Sequence, residues 1–180
     1  MSTPGRANIQ GLWIGGNGQP ANVSEATPFQ PGQLGKVAWL PGGSKNEAIA
    51  YQYVYRTTDA TAAADGSIAY WADLDDFQVT NIATSAIGGV TTPLVAGAFL
   101  GANPASGSYG FIQVTGEKDG VACTGTAVVG QPLCEAGQNL LTARGTQAAD
   151  LPQVAICVEA FESATGTTFK VLLDGFRNGW

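Results

Sequence analysis

Residues 94–116 read LVAGAFLGANPASGSYGFIQVTG. Two apolar runs, residues 94–100 and 109–115, flank the connector GANPASGS. Pro104 has no backbone donor, and Gly101 and Gly107 tolerate positive φ, so regular structure breaks between the runs. The pattern predicts a β-hairpin with a long loop. Alternation puts Phe111, Gln113 and Thr115 on one face and Ile112 and Val114 on the other. No side chain of the hairpin is chemically reactive, which points toward a structural or binding role.

Working outward, residues 47–56 (EAIAYQYVYR) form a clear strand. Ile49, Tyr51, Tyr53 and Tyr55 share one face; Ala48, Ala50, Gln52 and Val54 share the other. An aromatic row of this kind either packs against a second layer or presents a carbohydrate platform; packing is the commoner use. Short strands are expected at 67–71, 77–80, 121–129, 139–143, 154–161 and 168–174. Turns are expected at 116–120 (GEKDG), 130–137 and 163–167, where Gly, Pro, Asp and Ser cluster. About ten short strands separated by turns predict an all-β domain, a β-sandwich or barrel of short antiparallel strands.

Residues 1–46 differ. Pro4, Pro20, Pro28, Pro31 and Pro41 interrupt any long helix, yet apolar anchors recur. The segment reads as an extended, irregular N-terminal arm on a β-rich domain spanning 47–180. The arm either packs on its own domain or lies on a neighbouring subunit. Trp13, Ile14, Phe29, Trp39 and Leu40, with Phe176 and Trp180 in the tail, are the candidate interface residues, because aromatic anchors dominate interface energetics.

Composition narrows the function. Hydrophobic residues are 44% of the 180, many of them Ala, so the core is expected to be thin and layered. Charged residues are only 12%, about half the usual share. So few charges leave few solvated faces, and another protein chain is expected to cover part of the surface. A net charge of −6 disfavours nucleic acid and anionic membranes as partners. The N-terminus has no basic cluster followed by an apolar core, and no apolar run approaches the roughly 20 residues of a membrane-spanning helix. The expected setting is a cytoplasm, or a larger assembly built there.

Histidine is absent, which excludes Ser–His–Asp and Cys–His nucleophilic arrangements. Gly15-Gly-Asn-Gly18 and Pro41-Gly-Gly-Ser-Lys45 lack phosphate-loop spacing. Asp73, Asp75 and Asp76 form a dense acidic cluster, but the Gly and closing Glu of a helix–loop–helix calcium site are missing. The reading is therefore a polar turn. These three carboxylates, Glu159 and Glu162 are the candidates for glycoside hydrolysis, and no aromatic pocket signature flanks them. Cys123, Cys134 and Cys157 match no zinc spacing. They read as small reduced core residues, with a Cys123–Cys134 disulfide as the alternative. No cofactor and no metal is expected, and the chain is read as a non-enzyme.

One resemblance adds to this. The succession Asp75-Asp-Phe-Gln-Val-Thr-Asn81, Leu94-Val-Ala-Gly-Ala-Phe-Leu-Gly101 and Gly107-Ser-Tyr-Gly-Phe-Ile-Gln-Val-Thr-Gly116 resembles tailed-bacteriophage head decoration (cement) proteins and related small virion structural proteins. In these, an apolar strand ending in Gly precedes a turn and a Tyr-Gly-aromatic/aliphatic-Gln-Val-x-Gly strand. A Gly-, Ala- and Val-rich strand follows, as at 121–130, and Ala148-Ala-Asp-Leu-Pro-Gln-Val-Ala-Ile-Cys-Val158 also fits. The likeness covers residues 73–180. It implies a non-enzymatic protein on the exterior of an icosahedral capsid, assembled in the host cytoplasm. The implied partners are the major capsid protein and further copies of itself, a trimer before a dimer. Two other readings stand beside it: a carbohydrate-binding module using Tyr51, Tyr53, Tyr55 and Trp71, and a tail or head-fibre component.

Overall fold

The computed structural model describes residues 34–42, 47–58, 62–89, 93–102, 104–137, 139–145 and 152–174. The fold is nearly all β, with a closed β-barrel and extra strands. The strands are β1 (Val37–Gly42), β2 (Glu47–Arg56), β3 (Ile68–Asp73), β4 (Gln78–Thr80) and β5 (Val95–Phe99). They continue as β6 (Tyr109–Ala127), β7 (Pro132–Glu135), β8 (Leu141–Ala143), β9 (Ala155–Cys157) and β10 (Phe161–Asp174). A short 3-10 turn at Ala83–Ser85 interrupts the loop after β4.

The predicted hairpin is β5–β6, paired antiparallel at Ala98–Gln113 and Phe99–Ile112. The strand expected at 47–56 is β2. Its two faces go to different cores: Ala50 and Val54 join one cluster, Ile49, Tyr51 and Tyr53 another. Residues 37–42, read as the end of the arm, form β1, antiparallel to β2 from Val37–Gln52 to Gly42–Glu47.

β6 organises the rest. Its first part pairs with β2 and β5. Its second part pairs with β10, and at Cys123 with Leu141 of β8. The pairings thus close two circuits of strands. One runs β2–β4–β3–β5–β6 and the other β6–β10–β9–β7–β8, with β6 common to both. The first encloses Ala50, Val54, Trp71, Phe99, Ile112 and Val114. The second gathers Val121, Cys123, Leu133, Leu141, Phe161 and Val171. The same cluster takes in Ile68, Tyr70, Val95 and Ala98 from β3 and β5. The second circuit is therefore packed on the outside of the first.

Three expected turns are instead strand. Residues 116–120 continue β6: Gly116, Lys118 and Val121 pair with Leu173, Val171 and Phe169. Gly116 at φ 95° and Gly120 at φ 79° bend the strand without reversing it, as glycine-bearing bulges do. The Gln113 amide supports the bend by donating to the carbonyl oxygens of Thr115 and Glu117 at 3.3 and 2.8 Å. Residues 163–167 likewise lie inside β10, with register shifts and Ser163 at φ 50°. Within 130–137, residues 132–135 form β7. Conversely, the strand expected over 154–161 is only β9, followed by the start of β10.

Gly66 fixes how closely the loop before β3 approaches the β6 bend. Its φ is 78°, and a Cβ there would stand 2.2 Å from the Gly120 carbonyl oxygen. Neither partner is a flexible side chain, so the contact cannot relax cheaply. Gly66→Ala is expected to cost more than about 1 kcal/mol, read as a lower urea midpoint at unchanged slope.

Candidate functional site

A line of polar side chains crosses the seam between the two circuits. Arg56, at the end of β2, is fully buried. Its guanidinium donates to the Pro104 carbonyl oxygen at 3.2 Å and to Asn81 Oδ1 at 3.1 Å, and lies 5.1 Å from the Phe99 ring centroid. The Asn81 carbonyl oxygen accepts from Asn139 Nδ2 at 3.0 Å. The Asn139 backbone N–H donates to Tyr70 Oη at 2.9 Å, and Tyr70 Oη donates to Glu135 Oε1 at 2.8 Å. This line runs from the hairpin loop through β2, β4 and β3 to β7. Asn139 takes φ 67°, a conformation Asn tolerates better than most residues.

Burial pushes the Glu135 carboxyl above its ordinary value, against the hydrogen bonds from Tyr70 and Gly137 that favour the carboxylate. Burial, then the Glu135 charge, pushes the Tyr70 hydroxyl far up, so it stays a donor at physiological pH. These residues interlock two layers of strand. Sequence reasoning did not single them out: Arg56 and Tyr70 sit in ordinary strand patterns, and Glu135 sits in a Gly–Pro segment that reads as a turn.

The acidic cluster is a turn, as expected. Asp73 Oδ1 accepts from the backbone N–H groups of Asp75 and Asp76 at 2.9 and 3.2 Å, the local geometry short acidic side chains favour. Glu159 and Glu162 are exposed, and Glu159 Oε2 accepts from the Lys170 backbone N–H at 3.4 Å. Among the described residues, no group of three or more His, Cys, Asp or Glu is placed to hold a metal ion.

All three cysteines are free and buried, which excludes the Cys123–Cys134 disulfide from this structure. Burial raises each thiol; Cys123 is pushed up to about 12 by burial and then by the neighbouring Cys157.

The aromatic row is packing. Tyr51 and Tyr53 are buried on the outer face of the first circuit with Phe111, while Trp71 is enclosed within it. Of the four residues of the carbohydrate platform, Trp71 therefore lies apart from the tyrosines, and Tyr51 and Tyr53 offer no exposed ring. Of the seven candidate interface residues, Trp13, Ile14, Phe29, Phe176 and Trp180 lie outside the described residues, and Leu40 is described only as backbone of β1. Trp39 is 59% exposed on β1. The turn after β6 adds two exposed apolar residues that the sequence reading had assigned to a strand end, Val128 at 63% and Val129 at 65%. Comparison with protein-family models, curated proteins and solved structures returned no match.

Removing the Tyr70 hydroxyl strands both the Asn139 donor and the Glu135 acceptor. Tyr70→Phe should therefore cost about 1–3 kcal/mol by chemical denaturation. Because the native Glu135 value is raised, its contribution to stability is full below its ordinary value of 4.5. That contribution is lost as pH rises through the native value. Glu135→Gln keeps an acceptor for Tyr70 and removes the titration. The stability of the Gln variant relative to wild type should rise with pH between 4 and 8; a flat difference counts against this assignment. The raised thiols should be inert to a disulfide reagent at pH 8 in the native protein, with all three reacting once urea unfolds it.

Proposed function

We propose that this chain is a non-enzymatic virion structural protein that binds the outer surface of an icosahedral phage capsid and stabilises it. Its partners under this reading are the major capsid protein and other copies of itself, in a trimer. The observation that carries the reading is where charge and apolar surface lie. The buried charged residues among those described, Arg56, Lys118 and Glu135, each hold strands or loops together. Trp39, Val128 and Val129 are the most exposed large apolar groups among the described residues, with Leu74 and Ile87 also turned outward. A rigid, sparsely charged β-body with exposed apolar side chains suits contact with another protein better than chemistry on a small molecule. The resemblance in residues 73–180 supplies the capsid setting, and of the four residues of the carbohydrate alternative Tyr51, Tyr53 and Trp71 are buried, Trp71 in a different core from the tyrosines.

Co-sedimentation with capsids that lack the protein tests this directly. Saturable binding and a higher temperature of DNA release are expected. Trp39→Ala should weaken binding by about tenfold or more, the loss expected for an aromatic anchor, with an unchanged far-ultraviolet spectrum. A protein that stays in the supernatant at all concentrations overturns the proposal.

A further inference from the structure

Val128 and Val129, on the turn between β6 and β7, are the most exposed large apolar residues among those described. Single exposed apolar side chains are ordinary on a protein surface. Two in succession at the tip of a turn are not what turn chemistry favours. Gly130 takes φ 84°, and the Gln131 N–H donates to the Val128 carbonyl oxygen at 3.0 Å. Such a β-turn needs glycine at its third position and accepts polar residues before it. The fold therefore does not require valine at 128 or 129.

The turn is also pinned. The Val128 N–H donates to Gln131 Oε1 at 3.1 Å. The Gly130 N–H donates to the Cys157 carbonyl oxygen at 2.8 Å, and the Cys157 N–H donates to the Gln131 carbonyl oxygen at 2.9 Å. On the β6 side, Ala127 pairs with Phe161 of β10. Residues 158–160, which join β9 to β10, therefore lie beside the turn. A branched Cβ restricts χ1, so the two valine side chains are nearly fixed before any partner arrives. They lose little entropy on contact. A fixed, protruding apolar pair fits a preformed socket on another protein.

The charge beside this knob says what kind of socket. Glu159 and Glu162, on the adjoining segment, are exposed. Of the cations on neighbouring strands, Lys170 places its ammonium 3.4 Å from Asp119 Oδ1. Arg144 lies past the β7 end of the turn, its N–H donating to the Pro132 carbonyl oxygen at 2.8 Å. A second copy docked tip to tip would bring Glu159 and Glu162 of both chains together, on a protein of net charge −6. That like-charge contact is unfavourable, whereas a partner with a basic rim gains from the same carboxylates.

We propose that the Val128–Val129 turn is a docking element, inserting into an apolar socket of the major capsid protein whose rim carries Lys or Arg opposite Glu159 and Glu162. The assignment rests on the capsid reading above and adds the contact and the partner's chemistry to it.

The test is co-sedimentation of the full chain with capsids that lack it, comparing wild type with the double variant Val128→Thr, Val129→Thr. Threonine keeps the branched shape and the turn and changes polarity alone. A loss of affinity of about tenfold or more is expected, with an unchanged thermal unfolding midpoint. Glu159→Gln with Glu162→Gln should weaken binding several-fold at low salt and flatten its salt dependence, because charge pairs at a rim are screened. If wild type binds and the Thr variant binds equally well, the docking assignment is overturned and the capsid reading stands. If wild type does not bind, both fall. A Gln variant with the wild-type salt dependence overturns the basic rim. Dissociation of an oligomer of the protein alone by the Thr substitutions makes a second copy the occupant and overturns the proposal. Val129→Cys gives an independent readout, because the three native thiols are buried. The new thiol should react with a maleimide freely in solution and several-fold more slowly on the capsid; equal rates overturn the insertion.

Discussion

Everything in this fold hangs on one strand belonging to two closed circuits. β6 runs from Tyr109 to Ala127 and has to satisfy β2 and β5 along its first half and β10 along its second. A straight strand of that length cannot curve into both. Positive-φ glycines at 116, 120 and 125 supply the bends; the ladder to β10 shifts register near Gly120 and Gly125, and the ladder to β2 shifts next to Gly116, between Ala50 and Tyr51. Closure also removes most sheet edges, which are the places where β-proteins aggregate. β1, carrying Trp39, remains at the end of the strand order.

Two circuits sharing one strand could rock against each other like pages on a spine. The buried polar line from Arg56 through Asn81, Asn139 and Tyr70 to Glu135 opposes that motion. Its members come from both circuits, and their hydrogen bonds are directional where apolar packing is not. The cost is a carboxyl held out of water, visible as its raised proton affinity. Nearer the β6 bend, Lys118 reaches Asp65 at 2.7 Å. The same carboxylate oxygen accepts from the Gly101 N–H at 2.9 Å, tying the loop before β3 to β6 and to the hairpin connector. A body restrained in this way keeps its outer surface in a fixed arrangement.

The aromatic residues show how one strand serves two purposes. β2 contributes Ala50 and Val54 to the enclosed core and Tyr51 and Tyr53 to the opposite face. The inward residues of β2 are small, which leaves the lumen to Trp71, Phe99 and Ile112 from the other strands. The rings outside pack against Phe111, Tyr109, Leu34 and Leu100. The exposed valines at 128 and 129 sit at the far end of β6, on the turn that leads into the second circuit. Exposed apolar side chains thus lie on β1 and on the turn after β6.

The sequence by itself determined the all-β class, strand β2 with its two faces, the β5–β6 hairpin with its break at Gly101–Pro104–Gly107, and the acidic turn after β3. All of these follow from alternation and turn chemistry within about ten residues. Only the tertiary structure decided that 116–120 and 163–167 bend a strand rather than reverse it. Glycine followed by polar residues carries the same local signal in a turn and in a bulge, and the choice falls to a partner strand some fifty residues away in sequence, β10 for β6. The same holds for the seam. Nothing near Arg56, Tyr70 or Glu135 in the chain announces a buried network, because each is satisfied by a residue from another strand or loop. Local patterning sets which face a side chain takes, and long-range pairing sets what that face meets.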